Sequence, residues 1–340
     1  MSALPTNMTR RRFAQLIAAG GASVACAGVL SACGGNGADG SPSANDAEVK
    51  NQVIVAMNMN SEPAAGFDPF VSWGCGEHVH EPLIQSTLIT TDANLEFVND
   101  LATEYYCADD GMTWYFTIRD DAKFTDGEPL SASDVAFTIN GIIESEAAEA
   151  DLSMVEKAVA TDDTHVEITM TKPYNALLYT LAVVGIVPEH AHGEDYGANP
   201  IGSGRYMLEQ WDRGQQVILK ANPDYYGEAP KMERVVVVFM EEDAALAAVR
   251  AGQVDIAYTS ATYSDQTSEG YELFACETVD SRGISLPSIA AGQTKADGAN
   301  EYPAGNDVTC DLTVRRAINY GVDRQAMIDN VLNGYGTPAY

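Results

Sequence analysis

An α/β fold with mixed sheets, large enough to form more than one lobe, follows from three features of the chain. Residues 234–240, RVVVVFM, are apolar on both faces, as a strand covered on both sides must be. EEDAALAAVRAG then reads as a helix and QVDIAY (253–258) as the next strand, a βαβ unit that makes the sheet at least partly parallel. The 307 residues that follow Cys33 reach the size at which one core usually splits.

The elements run in order from the N-terminus. TRRRFAQ (9–15) sets paired arginines before a Phe, the twin-arginine form of an export signal, and a run of three arginines also serves general secretion. The apolar, Gly- and Ala-rich segment 14–32 resembles a signal core more than a membrane span. It ends in Leu30-Ser31-Ala32-Cys33, a lipobox pattern in which cleavage precedes the Cys and Cys33 is acylated. Residues 34–50, GGNGADGSPSANDAEVK, have almost nothing to bury and are expected to be a flexible tether.

QVIVAM (52–57) reads as a buried strand, followed by the turn-rich SEPAAGFDPF. Residues 114–120, WYFTIRD, alternate as a strand with Trp114, Phe116 and Ile118 on one face. A turn follows at Asp126-Gly127, and Ser131 and Asp134 have capping-box spacing before Val135, Ile139, Ile142 and Ile143. THVEITM (164–170) is another period-two strand. LTVRRAINYG and DRQAMIDNVLNG read as two helices, with Asp323 as N-cap and Asn333-Gly334 as the stop.

From Gly34 onward 16 basic residues stand against 49 acidic ones, a formal charge of −33. Such a chain repels nucleic acid and anionic surfaces, so nucleic-acid binding is set aside. Cys75, Cys107, Cys276 and Cys310 remain after the signal, and they allow three pairings. Cys276–Cys310 is the candidate disulfide, because it would close the excursion from Asp280 to Asp307; free buried thiols are the alternative.

The stretch Phe116, Arg119, Phe124, Asp126, Gly127, Pro129, Leu130, Ser131, Ala132, Asp134, Val135 and Phe137 resembles the signature of family 5 extracellular solute-binding proteins, the oligopeptide-, dipeptide- and nickel-binding receptors of ABC importers. Gly202-Ser203-Gly204 with Tyr206 is similar to the family's G-T-G-P-[YF]. Asn222, Pro223, Tyr225 and Tyr226 match N-P-x-Y-[WY], and Gly252, Asp255 and Ile256 match G-x-[VI]-D-[IL]. Val314, Arg315, Ala317, Asn319 and Asp323 fit the family's V-R-x-A helix. The resemblance implies a two-lobed fold of the periplasmic-binding-protein type II kind. It puts lobe I at 51–90 and 182–265, a small lobe at 91–181, and the start of a second large lobe at 266–340. That second lobe is expected to be incomplete, since family members run well over a hundred residues further.

The resemblance also places a ligand-facing segment after Gly66-Phe67-Asp68-Pro69, with Phe70, Ser72, Trp73, Gly74 and Cys75 as candidate ligand contacts. The alternative for Trp73 is ordinary packing. Cys75, His78 and His80 are weak metal candidates: soft and borderline ligands with no further group at a recognised spacing. Glu189-His190-Ala191-His192 is read as structural. No H-E-x-x-H, G-x-S-x-G or P-loop occurs, so no enzyme is expected; a secreted metallohydrolase using Cys75, His78 and His80 is the remote alternative. The expected function is a monomeric, lipid-anchored receptor without cofactor, outside the cytoplasmic membrane, that delivers peptides to ABC permease subunits. A nickel or metal chelate is the alternative ligand.

Overall fold

Every strand that pattern and motif anticipated in the body is formed, in a computed structural model that describes residues 51–63, 65–71, 82–266, 268–276, 281–297 and 300–339. Cys33, the signal and the tether therefore lie outside the described residues. In chain order the elements are β1 (Gln52–Met57), β2 (Ile89–Thr91), β3 (Phe97–Asn99), β4 (Ala102–Cys107), β5 (Thr113–Ile118), α1 (Ala132–Glu144), β6 (Val155–Ala160), β7 (His165–Met170) and α2 (Leu177–Leu181). Then come β8 (Tyr206–Asp212), β9 (Gln216–Ala221), β10 (Arg234–Phe239), α3 (Glu242–Arg250), β11 (Ile256–Ala257), β12 (Thr294–Asp297), β13 (Asn300–Pro303), α4 (Leu312–Gly321) and α5 (Arg324–Val331). No helix among the described residues is long and apolar enough to cross a membrane.

The described residues divide into two compact units: those up to 241 with 254–256, and residues 242–253 with those from 257 onward. The first unit contains three sheets, the smallest of them the antiparallel β2–β3 pair. One has the order β11-β1-β10-β9-β8 and is mixed, since β1 runs parallel to β10 while β10–β9 and β9–β8 are antiparallel. The partly parallel sheet read from β10, α3 and β11 is formed, with both strands in it and β1 lying between them. QVIVAM is also less buried than its composition suggested, with Ala56 its one fully buried residue.

The third sheet, β4-β5-β7-β6, is antiparallel. Period two directs Phe116, Ile118, Val166, Ile168 and Met170 inward, where Val135, Ile139 and Ile142 of α1 meet them in one core. The edge strand β6 is capped by a side chain of α1: Asn140 donates from Nδ2 to the Ala158 carbonyl at 2.8 Å and accepts from Ala158 N at 2.9 Å. That leaves one fewer pair of free backbone groups on the sheet edge.

The family-like motifs form a structural frame. Ser131 N donates to Asp134 Oδ2 at 2.9 Å, which closes the helix start, and Glu189 N donates to Asp134 Oδ1 at 3.0 Å. One buried carboxylate thus joins the start of α1 to the 187–192 loop. Gly202 passes so near residue 84 that a Cβ would lie 2.0 Å from the Ile84 carbonyl oxygen. Asn222 Nδ2 donates to the Gly204 carbonyl at 2.9 Å, so the Asn-Pro motif braces the Gly-Ser-Gly motif.

In the second unit, Glu242 at the start of α3 accepts from Thr259 Oγ1 at 2.8 Å and from Ser260 N. These bonds tie α3 to residues that follow it. Asp323 caps α5 by accepting from Ala326 N at 2.9 Å. Asn333 and Gly334 end it with φ of 52° and 85°, and Gly334 N donates to the Ile328 carbonyl at 3.0 Å.

Candidate functional site

The turn that introduces the expected ligand segment is held from several sides. Gly66 has φ of 93°, and a Cβ there would lie 2.4 Å from the Gly197 carbonyl oxygen. That same oxygen accepts from Phe67 N at 2.9 Å. Gln85 Nε2 donates to the Phe67 carbonyl at 2.8 Å and reaches the Tyr196 hydroxyl at 3.2 Å. Tyr196 in turn donates to the Ile201 carbonyl at 2.7 Å, and burial pushes its phenol far above its usual range.

Asp68 is the centre of this arrangement. Its Oδ1 accepts from Phe70 N at 2.9 Å, an Asx turn, and both carboxylate oxygens lie 3.1 Å from His192 Nε2. The Asp68–His192 pair is 12% and 15% exposed, which shields it from solvent more than the other histidine pairs. The Phe70 ring lies 4.2 Å from the His192 ring and 5.6 Å from Phe137 of α1, centroid to centroid. Ser145 Oγ donates to the Phe70 carbonyl at 2.7 Å.

Phe70 is therefore half-buried in protein packing, with its ring set where a Cβ on Gly141 would fall. Ser72, Trp73, Gly74, Cys75, His78 and His80 lie outside the described residues. The chain re-enters at Pro82, and immediately afterwards the Leu83 and Ile84 carbonyls accept from Tyr206 N at 2.9 Å and Gly204 N at 2.8 Å. Both flanks of the expected ligand segment are thus anchored in the first unit.

Each histidine of the 189–192 group has a carboxylate partner: His190 Nε2 lies 2.7 Å from Asp126 Oδ2, and His192 faces Asp68. No cluster of three metal-ligating side chains occurs among the described residues. Cys107, Cys276 and Cys310 carry free thiols, so the anticipated Cys276–Cys310 bond is not formed in this structure. Cys276 is exposed and ends an irregular run, while Cys310 is half-buried ahead of α4. The sequence reading missed Gln85, Tyr196 and Gly141. Each acts through a partner more than 15 residues away, and no local spacing marks them.

A mixed-sheet α/β body with a second antiparallel sheet and a braced turn at residues 66–70 defines a binding protein of the two-lobed periplasmic class. The chain belongs to the bacterial extracellular solute-binding proteins, family 5, whose profile matches residues 96–340. It is 32% identical to Protein XP55 of Streptomyces lividans, over the whole of this chain and 60% of that protein. It is 28% identical to the probable D,D-dipeptide-binding periplasmic protein DdpA of Escherichia coli, over 87% of this chain and 57% of the relative. Among solved structures, NikZ of Campylobacter jejuni in complex with Ni(L-His) superposes with a TM-score of 0.64 at 26% identity, over 85% of this chain and 57% of that one. The chain thus spans somewhat over half the length of these proteins.

Proposed function

We propose that the chain is the ligand-binding part of a lipid-anchored, monomeric receptor that captures peptides outside the cytoplasmic membrane and delivers them to the permease subunits of an ABC importer. The reading rests on the family match, and within it the observation that carries most weight is the clamped turn at Gly66–Phe70. A turn fixed by Asp68, Gln85 and His192 offers a stiff base from which Ser72, Trp73, Gly74 and Cys75 could meet a ligand with little ordering cost. Phe70 acts as the peg of that base. The protein is no enzyme in this reading; chelator-sensitive hydrolysis of a chromogenic ester or peptide would revive the metallohydrolase alternative. Acylation at Cys33 supplies the anchor, and Cys33→Ala should release the protein from membrane fractions.

A nickel chelate is the second reading, favoured by the likeness to NikZ with its bound Ni(L-His). Thermal unfolding of the intact protein with a peptide panel, free Ni²⁺ and Ni²⁺ with histidine separates the two. A ligand at 100 times its Kd adds about 2.7 kcal/mol. Stabilisation by nickel-histidine alone would sink the peptide reading. Trp73→Ala should weaken binding by about 1–3 kcal/mol with little change in melting. Core packing predicts the reverse, about 3–5 kcal/mol of lost stability with unchanged affinity, and that result would remove Trp73 from the site.

A further inference from the structure

Gly141 stands inside α1 with ordinary helical backbone, so no turn or left-handed conformation calls for it. A glycine there costs helix stability relative to alanine. What excludes a larger residue is the Phe70 ring: a Cβ on Gly141 would lie 2.1 Å from Phe70 Cε2 and 2.3 Å from Cζ. The next atom met, at 3.1 Å, is Cδ2 of the same ring.

That ring has no easy way to swing aside. His192 stacks on it at 4.2 Å and Phe137 lies at 5.6 Å, centroid to centroid. Its backbone is pinned at both ends, since Phe70 N donates to Asp68 Oδ1 at 2.9 Å and the Phe70 carbonyl accepts from Ser145 Oγ at 2.7 Å. Phe137, Gly141 and Ser145 follow one another at four-residue spacing, which puts them along one side of the helix and its end. The same helix sets His192: Asp134 Oδ1 accepts from Glu189 N at 3.0 Å, and Thr138 Oγ1 accepts from Val187 N at 3.1 Å. α1 is thus the common reference for the Phe70 ring and for the histidine stacked on it.

We propose that Gly141 is a positioning residue for solute binding: its bare backbone is the seat of Phe70, and the seat sets where the next residues, Ser72 and Trp73, can stand. The proposal rests on the receptor reading for the role of those two residues. It moves control of affinity to a helix position with no polar or charged group of its own. Ordinary carbon–carbon contact is about 3.5–4.0 Å, so a methyl at position 141 drives the ring back by roughly 1.5 Å. Binding groups have to hold within about 0.5 Å of their productive place. Consecutive Cα atoms are about 3.8 Å apart, so two or three residues of chain pass such a shift onward.

The test compares the intact protein with Gly141→Ala, Phe70→Leu and the double variant; leucine has no atoms at the ring's ε and ζ positions. Hydrogen exchange of the solute-free proteins follows the Phe70 and Val71 amides, which donate to Asp68. Calorimetric titration with the peptide panel and with Ni²⁺ and histidine gives Kd, and melting is read in parallel. In Gly141→Ala those amides should exchange about tenfold faster or more, and Kd should rise about tenfold or more. The double variant should return to within about twofold of Phe70→Leu in both readings, because the clash is gone. A change in melting alone, or a double variant whose losses multiply, overturns the proposal. If Gly141→Ala fails to fold, the double variant decides: folding and binding like Phe70→Leu upholds the seat, and failure to fold rejects it. Exchange that couples in this way with no probe bound by any variant would keep the seat and reject the ligand reading. Binding that is indifferent to Gly141→Ala would do the opposite.

Discussion

His190 and His192 stand two residues apart and each faces a carboxylate, but their exposures differ. His190 is 42% exposed and Asp126 29%, and the Asp126 hydrogen bond is the main influence raising the His190 pKa above its usual 6.5. A raised folded-state value means that the pair contributes stability below the unfolded pKa and loses it as pH rises through the folded one. Exposure keeps this contribution small. Asp126→Asn should therefore lower the melting temperature at pH 5.5 and leave it nearly unchanged at pH 8.5, measured by calorimetry on both proteins. Equal losses at both pH values would show that the turn, and not the charge pair, carries the effect.

The start of α1 shows why the stretch 114–139 is so specific without being reactive. Asp134 is 5% exposed and accepts from Ser131 N and Glu189 N, so one side chain begins the helix and fixes the loop that carries His192 toward Asp68. Asp134→Ala leaves two backbone donors without their acceptor and should cost about 2–4 kcal/mol, read as a lower urea midpoint at unchanged slope. Asp134→Asn keeps an acceptor oxygen and should recover part of the loss. Because the loop braces the candidate site, the alanine variant should also weaken ligand binding, an effect absent from a mere helix-start defect.

The two units differ in how much they bury. Phe116, Ile168 and Met170 of the first unit are at most 1% exposed, whereas every residue of α4 in the second is half-buried or exposed. Local opening is governed by such buried contacts. Hydrogen exchange followed by mass spectrometry should find the α4 amides exchanging at least tenfold faster than those of β5 and β7. Comparable protection would mean that α4 gains cover from polypeptide or ligand under native conditions.

Several elements were readable because their causes are local. Period two announced β5 and β7, the spacing of Ser131 and Asp134 announced α1, and Asn333-Gly334 announced the end of α5. The family resemblance, carried by ordered motifs, likewise pointed to the fold class. Other features required the folded chain. Insertion of β1 between β10 and β11 depends on pairing across about 180 residues, which no helix-forming pattern encodes. The lodging of Phe70 against Gly141 and His192, and the brace of Gln85 and Tyr196 behind the turn, depend on long-range packing in the same way. Composition and spacing report what a segment prefers over one or two turns; which distant groups satisfy its hydrogen bonds and fill its gaps is set when the sheets and loops close around it.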